Sequence, residues 1–282
     1  MKVYQLANVE IKCRIMGQGK TIILLHGFGE SFANWLSIAE ELQTEYRVVI
    51  PNISTLYAQK DPLTFTQQVD LLAQWLELVI PPGESFHLVG MSYGGLLSFA
   101  LRSKSQAPIQ SHTLINPMPM EPTKFLKSWR LRQLLYVSRW PGVLNFLRLT
   151  PWGKSTFKYL GTVFHMGFRG KKVIHIFNQR KFLIIYKALK RFLWISANED
   201  WSYWKSIKHK DRIYTQLIYS EKDSLFSATQ YLKICSQFQE ARVKSIKGAG
   251  HLVVESHYKE VLMILKNVFL DSENMQTHNI AS

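Results

Sequence analysis

A serine, an aspartate and a histidine stand in this chain where together they could cleave an acyl bond. Ser92 lies in Gly90-Met91-Ser92-Tyr93-Gly94, Asp223 ends Ser220-Glu221-Lys222-Asp223, and His251 follows Gly248-Ala249-Gly250. A serine hydroxyl is a poor nucleophile at its free pKa and needs a base within hydrogen-bonding reach. An imidazole can take its proton, and a buried carboxylate can fix the imidazole's tautomer and stabilise the imidazolium. A fourth motif, His26-Gly27-Phe28-Gly29-Glu30-Ser31, is a glycine-rich turn.

These groups are useful only if the chain brings them to one place. Phe86–Val89 reads as a short buried strand, and Gly95–Leu101 begins a helix. A strand running into a helix through G-x-S-x-G forces the serine onto a sharp turn, with flanking glycines removing Cβ atoms that would collide. The other motifs also follow strands: Thr21–Leu25 leads to His26, Leu217–Tyr219 to Ser220, and Val243–Ile246 to Gly248. Around them the pattern predicts a hairpin (Val3–Leu6 and Val9–Ile15), a helix near Phe32–Leu42 and a strand at Tyr46–Ile50. A helix over Thr64–Val79 ends before Pro81-Pro82-Gly83, and a strand covers His112–Ile115. The pattern resumes with a strand at Ile213–Tyr219, a helix near Ala228–Ser236 and a last helix around Tyr258–Leu270. Alternating strands and helices mean a mostly parallel sheet covered on both faces, with functional groups at the carboxyl ends of the strands.

Four motifs at strand ends, in the order Ser…Asp…His, resemble the α/β-hydrolase superfamily over roughly Val3 to Leu270. The resemblance implies an α/β-hydrolase fold, an eight-stranded, mostly parallel sheet flanked by helices, with an inserted helical cap. It implies Ser92 as nucleophile, His251 as base and Asp223 as acid. The N–H of Tyr93, directly after the nucleophile, is one expected oxyanion donor, and the resemblance places the other at Phe28. Competing assignments exist. Glu221 stands earlier on the strand-to-loop step than Asp223. The acid can also follow the preceding strand, but that strand ends in neutral Asn116. His257 lacks a glycine turn, and His26 reads as a structural hydrogen-bonding residue beneath the oxyanion turn. One departure stands out: where many relatives carry Asp-x-x-Gly-x-Gly-x-Ser, this chain reads Pro51-Asn52-Ile53-Ser54-Thr55-Leu56-Tyr57, without glycine. A serine nucleophile argues against haloalkane dehalogenases and epoxide hydrolases, which use aspartate.

Between the halves of the expected core (1–116 and 211–270) lies a segment, 117–210, too long for a structureless loop and rich in helix-period apolar residues. It reads as a helical cap. Nineteen Lys or Arg there stand against Glu121, Glu199 and Asp200, a formal charge of +16, while the whole chain carries +15. Arg180, Lys187 and Arg191 fall on one helical face. An amphipathic cap explains the segment's aromatics; it does not explain the near absence of acids, since ordinary soluble faces mix both signs. A one-signed surface over a site suggests an acidic partner or substrate. Three follow in order: an acidic acyl carrier protein with a tethered acyl chain, an anionic membrane surface, and, last, nucleic acid, for which no motif exists. The first resembles the pimeloyl-[acyl-carrier-protein] methyl ester esterases of biotin synthesis. A small ester, free or carrier-tethered, is the expected substrate. Carbon–carbon bond hydrolases of ring-cleavage products share the triad and remain an alternative, as does a binding module that has lost activity.

No Cys/His cluster has metal-ligand spacing and no nucleotide-binding glycine motif appears, so neither metal nor cofactor is expected. Hydrophobic residues at 46% support a substantial core. Cys13 and Cys235 do not make a disulfide framework, Asn8 and Glu10 break the N-terminus too early for a signal-peptide core, and no apolar run approaches a membrane span. The expected location is the cytoplasm. Residues 271–282 read as a polar, frayed tail.

Overall fold

The computed structural model describes residues 1–59, 61, 63–127, 129, 132, 133, 136, 143, 150, 151 and 190–281, with side chains to Met275. Arg180 and Lys187, and most of the expected cap, lie outside the described residues; Arg191 is within them, half-buried.

Eight strands form one sheet in the order β1-β2-β4-β3-β5-β6-β7-β8. The strands are β1 (Lys2–Leu6), β2 (Val9–Met16), β3 (Thr21–Leu25), β4 (Arg47–Pro51), β5 (Phe86–Met91), β6 (Ile109–Ile115), β7 (Tyr214–Ser220) and β8 (Arg242–Ile246). The hairpin β1–β2 and the β2–β4 pair are antiparallel, and every later pairing is parallel. Parallel neighbours need crossovers, and helices supply them: α1 (Leu36–Leu42), α2 (Ser54–Tyr57), α3 (Phe65–Val79), α4 (Tyr93–Arg102) and α5 (Pro122–Phe125), then α6 (Trp201–Ser206), α7 (Ala228–Cys235), α8 (Val253–Ser256) and α9 (Tyr258–Ala281). A helical stretch at 190–197 precedes α6.

Central strands are apolar on both faces because both faces are covered. Ile23 and Leu25 of β3 and Leu88 of β5 join one core cluster with Trp75, Phe99 and Trp204. Their neighbours Ile22, Leu24 and Val89 join the opposite cluster with Trp35, Leu265 and Phe269. Period-two side-chain alternation divides the strands between two layers.

Two expectations change. The helix near Phe32–Leu42 begins as a 3₁₀ turn at Phe32–Trp35, where Ser31 and Asn34 close a reciprocal capping box. The residues beyond Leu270, expected as a polar tail, lie in α9, which runs to Ala281. Their polarity serves contacts: Asp271 accepts from the Tyr214 hydroxyl at 2.9 Å, Glu273 lies 3.0 Å from His87 Nε2, and buried Ser272 accepts from Gln110 Nε2 through its carbonyl.

Candidate active site

The turn from β5 into α4 places Ser92 at φ 53°, ψ −116°, a conformation that side chains normally avoid. The glycines around it permit the crossing. A Cβ on Gly90 would sit 2.3 Å from the Gly94 carbonyl oxygen, and one on Gly94 would sit 2.4 Å from that of Leu25. The Ser92 amide donates to the Ile115 carbonyl of β6, and the Met118 amide donates to the Ser92 carbonyl, so the strained turn is fixed on both sides.

His251 reaches this serine from the loop after β8. Its Nε2 lies 2.8 Å from Ser92 Oγ, and its Nδ1 lies 2.6 Å from Oδ2 of Asp223. All three side chains are buried. Oδ1 of Asp223 accepts from the amides of Leu225 and Phe226, at 2.7 and 3.2 Å, and Oδ2 also accepts from the Tyr231 hydroxyl. With Asp223 ionised, Nδ1 carries the imidazole proton and Nε2 is free to accept from Ser92.

The charges support that assignment. Burial pushes the Asp223 carboxyl up, but the nearby His251 charge and the bonds from His251, Tyr231 and Leu225 outweigh it and hold the pKa down. Burial acts to lower the His251 pKa; the Asp223 charge and hydrogen bond, helped by Glu30, outweigh it and the net shift is upward. A base tuned in this way can take a proton from Ser92 and return it.

The rival residues are otherwise engaged. Glu221 is exposed and accepts from Ser245 Oγ. The Asn116 amide donates to Ser220 Oγ and to the His251 carbonyl, while its oxygen accepts from the Ser220 amide. It ties the ends of β6 and β7 to the histidine loop. The His257 ring meets Ser256. His26 Nε2 accepts from the Ile53 amide at 3.1 Å while Nδ1 lies 2.9 Å from the Gly27 carbonyl, and burial lowers its pKa to about 4. A histidine bonded through both nitrogens and held neutral supports a turn.

Phe28 and Tyr93, the two expected oxyanion donors, stand on different segments whose rings meet. Tyr93 opens α4, where the first N–H groups have no partner within the helix. Phe28 lies half-buried in the turn after β3, its ring stacked on Tyr57 at 4.1 Å and edge-on to Tyr93 at 5.2 Å. Phe192, in the 190–197 stretch, meets Phe28 edge-on at 5.5 Å. Sequence reasoning did not find Tyr231, Glu30 or Tyr57 as neighbours of the site. Glu30 was legible as a carboxylate three residues after Gly27; Tyr231 and Tyr57 carry no motif. Among the described residues no three His, Cys, Asp or Glu side chains converge as metal ligands would.

A family model of the alpha/beta hydrolase fold matches residues 20–258. The chain belongs to that family, and the fold supports a hydrolase. Among its relatives, a pimeloyl-[acyl-carrier protein] methyl ester esterase of Aeromonas salmonicida is 34% identical over 101 residues, 35% of this chain and 37% of that esterase. The matched stretch therefore spans little more than a third of that relative. The monoacylglycerol lipase ABHD6 of Bos taurus is 22% identical over 268 residues, 88% of this chain and 75% of the lipase. Among solved structures, a putative lipase (lip1) from Acinetobacter baumannii AYE superposes with a TM-score of 0.73 at 17% identity, covering 97% of this chain and 91% of that one.

Proposed function

We propose that the protein is a serine carboxyl-ester hydrolase acting through an acyl-enzyme. The observation that carries the reading is the continuous Ser92–His251–Asp223 hydrogen-bonded relay, with both bonds under 3 Å. Ser92 Oγ attacks the ester carbonyl as its proton passes to His251 Nε2. The carbonyl π electrons move onto oxygen, which the Phe28 and Tyr93 amides stabilise. The tetrahedral intermediate collapses, the C–O bond to the alcohol breaks, and His251 returns the proton to the leaving oxygen. Water then gives a proton to His251 and attacks the acyl-enzyme, and Ser92 leaves with that proton as the acid departs.

The finer reading is a methyl or other small-alcohol ester on an acyl chain carried by an acidic carrier protein. The support is the +16 of residues 117–210, proposed as a cap over the site, and the partial likeness to the Aeromonas esterase. Charge complementarity raises association rates at low salt and fades as salt screens it. The test is kcat/KM for one dicarboxylic acyl methyl ester, free and carrier-bound, at low and high salt. A large carrier preference that collapses with salt supports the docking reading; equal rates reject it.

A second reading, a peripheral lipase drawn to anionic membranes, has its own support in the monoacylglycerol lipase matched along 88% of the chain. Turnover of a monoacylglycerol that rises on anionic vesicles but not on neutral ones would select it. Among the described residues no helix is long and apolar enough to cross a membrane.

A further inference from the structure

The Pro51–Tyr57 segment, which lacks the glycines of many relatives, folds as the end of β4 and the single-turn α2. It meets the turn after β3 twice. At the start of the segment's helix, the Ile53 amide donates to His26 Nε2 at 3.1 Å. At its end, the buried Tyr57 hydroxyl accepts from the Gly29 amide at 2.8 Å, while the Tyr57 ring stacks on Phe28. Within the turn itself, Glu30 Oε2 accepts from the Gly27 amide at 2.9 Å, and the Glu30 amide donates back to the Gly27 carbonyl at 3.3 Å. A Cβ on Gly27 would sit 2.8 Å from the Glu30 carboxylate, so a side chain there would push that carboxylate away from the Gly27 amide.

Three successive amides are thus treated differently. Those of Gly27 and Gly29 are taken by the side chains of Glu30 and Tyr57, and the Phe28 amide between them donates to no described residue. The Phe28 N–H shares one rigid peptide plane with the Gly27 carbonyl, which accepts from the Glu30 amide at 3.3 Å and lies 2.9 Å from His26 Nδ1. The planes before and after it are anchored through the Gly27 and Gly29 amides, so the direction of the N–H is held. Preorganised donors stabilise an oxyanion because they need no reorientation as charge develops.

We propose that Tyr57 and Glu30 are positioning residues that brace the Phe28 amide toward the oxyanion, with Tyr57 doing from α2 a task that no glycine motif performs in this chain. The inference rests on the esterase reading, because a brace matters only if an oxyanion forms beside Phe28. Neither side chain needs to touch substrate. Their contribution belongs to kcat and to the binding of tetrahedral anions rather than to KM.

The experiment uses the full chain, a short-chain p-nitrophenyl ester, and a trifluoromethyl ketone that Ser92 adds to as an anionic hemiketal. Tyr57→Phe keeps the ring stack and removes the acceptor. Gly29 is exposed, so water can satisfy its amide and the variant folds. The expected result is a fall in kcat of about tenfold or more, a matching loss of ketone affinity, and KM within about twofold of wild type. Glu30→Ala does the same through Gly27, and Glu30→Gln, whose amide oxygen still accepts, restores most of the loss. Tyr57→Phe with unchanged kcat and ketone affinity, or with KM alone raised, overturns the brace. A wild type that cleaves no ester and takes no fluorophosphonate at Ser92 overturns the esterase reading and the brace with it. A labelled, active wild type beside an unaffected Tyr57→Phe overturns only the brace.

Discussion

Tyr231 donates its hydroxyl to Oδ2 of Asp223, the same carboxylate oxygen that faces His251 Nδ1. The acid's negative charge is therefore divided between a phenol and an imidazole. A hydrogen bond to a charged group contributes about 1.5–3 kcal/mol, and one pKa unit corresponds to about 1.36 kcal/mol. Removing the phenol leaves more of the carboxylate's potential on His251, which raises the histidine pKa. Tyr231→Phe should move the acidic limb of the kcat/KM profile up by roughly half a unit and lower kcat by less than about tenfold. A limb that stays in place would reduce Tyr231 to a packing residue.

In the proposed mechanism His251 must be neutral to act as base, and its pKa is raised above the usual 6.5, so ester cleavage should fall as pH drops through a midpoint above that value. Stability runs the other way: a raised histidine contributes fully below its unfolded pKa, and the contribution is lost as pH rises through the folded one. Asp223, held low, contributes stability above about 3.8 that disappears as pH falls through its folded value. Burial pushes Glu30 up to about 7, against the Gly27 hydrogen bond and the His251 charge, with Glu255 adding to the rise. Glu30 faces Tyr57 as well as His251. Its carboxylate raises the His251 pKa, so Glu30→Gln should shift the acidic limb to lower pH. A limb that does not move would mean that the charge does not reach the imidazole.

Most of this site was legible because strand ends carry it. Ser92, Asp223 and His251 each follow an apolar run, and a parallel sheet gathers such ends at one edge. What escaped was held by other means. Tyr231 reaches Asp223 from the buried side of α7, where a tyrosine looks like any core aromatic. Tyr57 lies where a family pattern is missing, and an absence does not say what replaces it. The polar residues after Leu270 suggested a tail because their partners, Tyr214, His87 and Gln110, are distant in sequence and lie on strands that read as plain core. Composition reports solubility; it does not report which polar groups wait on the surface it will cover.

The turn at Ser92 should hold measurable strain. A non-glycine residue in a sparsely populated backbone region costs about 1–3 kcal/mol, and glycine's extra unfolded-state freedom returns about 0.5–1 of it. With φ 53° and ψ −116°, Ser92→Gly should be more stable than wild type by about 1 kcal/mol while losing ester cleavage entirely. Ser92→Ala keeps the strain, loses the nucleophile and should melt near wild type. Denaturant titration of the three proteins decides the matter. A glycine variant less stable than the alanine one would show the turn to be relaxed.

Glu199 is one of only three acids in 117–210, and its position shows what an acid is needed for there. Its carboxylate accepts from the Thr66 amide at 2.9 Å, from Thr66 Oγ1 at 2.5 Å and from the indole nitrogen of fully buried Trp204 at 2.9 Å. Thr66 is the second residue of α3, where a negative charge meets free amides and the positive end of the helix dipole. The contact fastens the segment bearing Phe192 and Trp204 to the core beside Tyr93, through Phe65 and Phe28. Glu199→Ala removes three charge-assisted bonds, although Trp204 keeps a 3.2 Å partner in Thr66 Oγ1. The expected loss is about 2 kcal/mol, seen as a melting temperature lower by roughly 4 °C. Glu199→Gln should fall between, because one acceptor oxygen becomes a donor facing donors. The relay at Ser92 does not pass through this contact. If the segment shapes the entrance, KM should rise while kcat holds; a fall in kcat at constant KM would tie Glu199 to the chemistry instead.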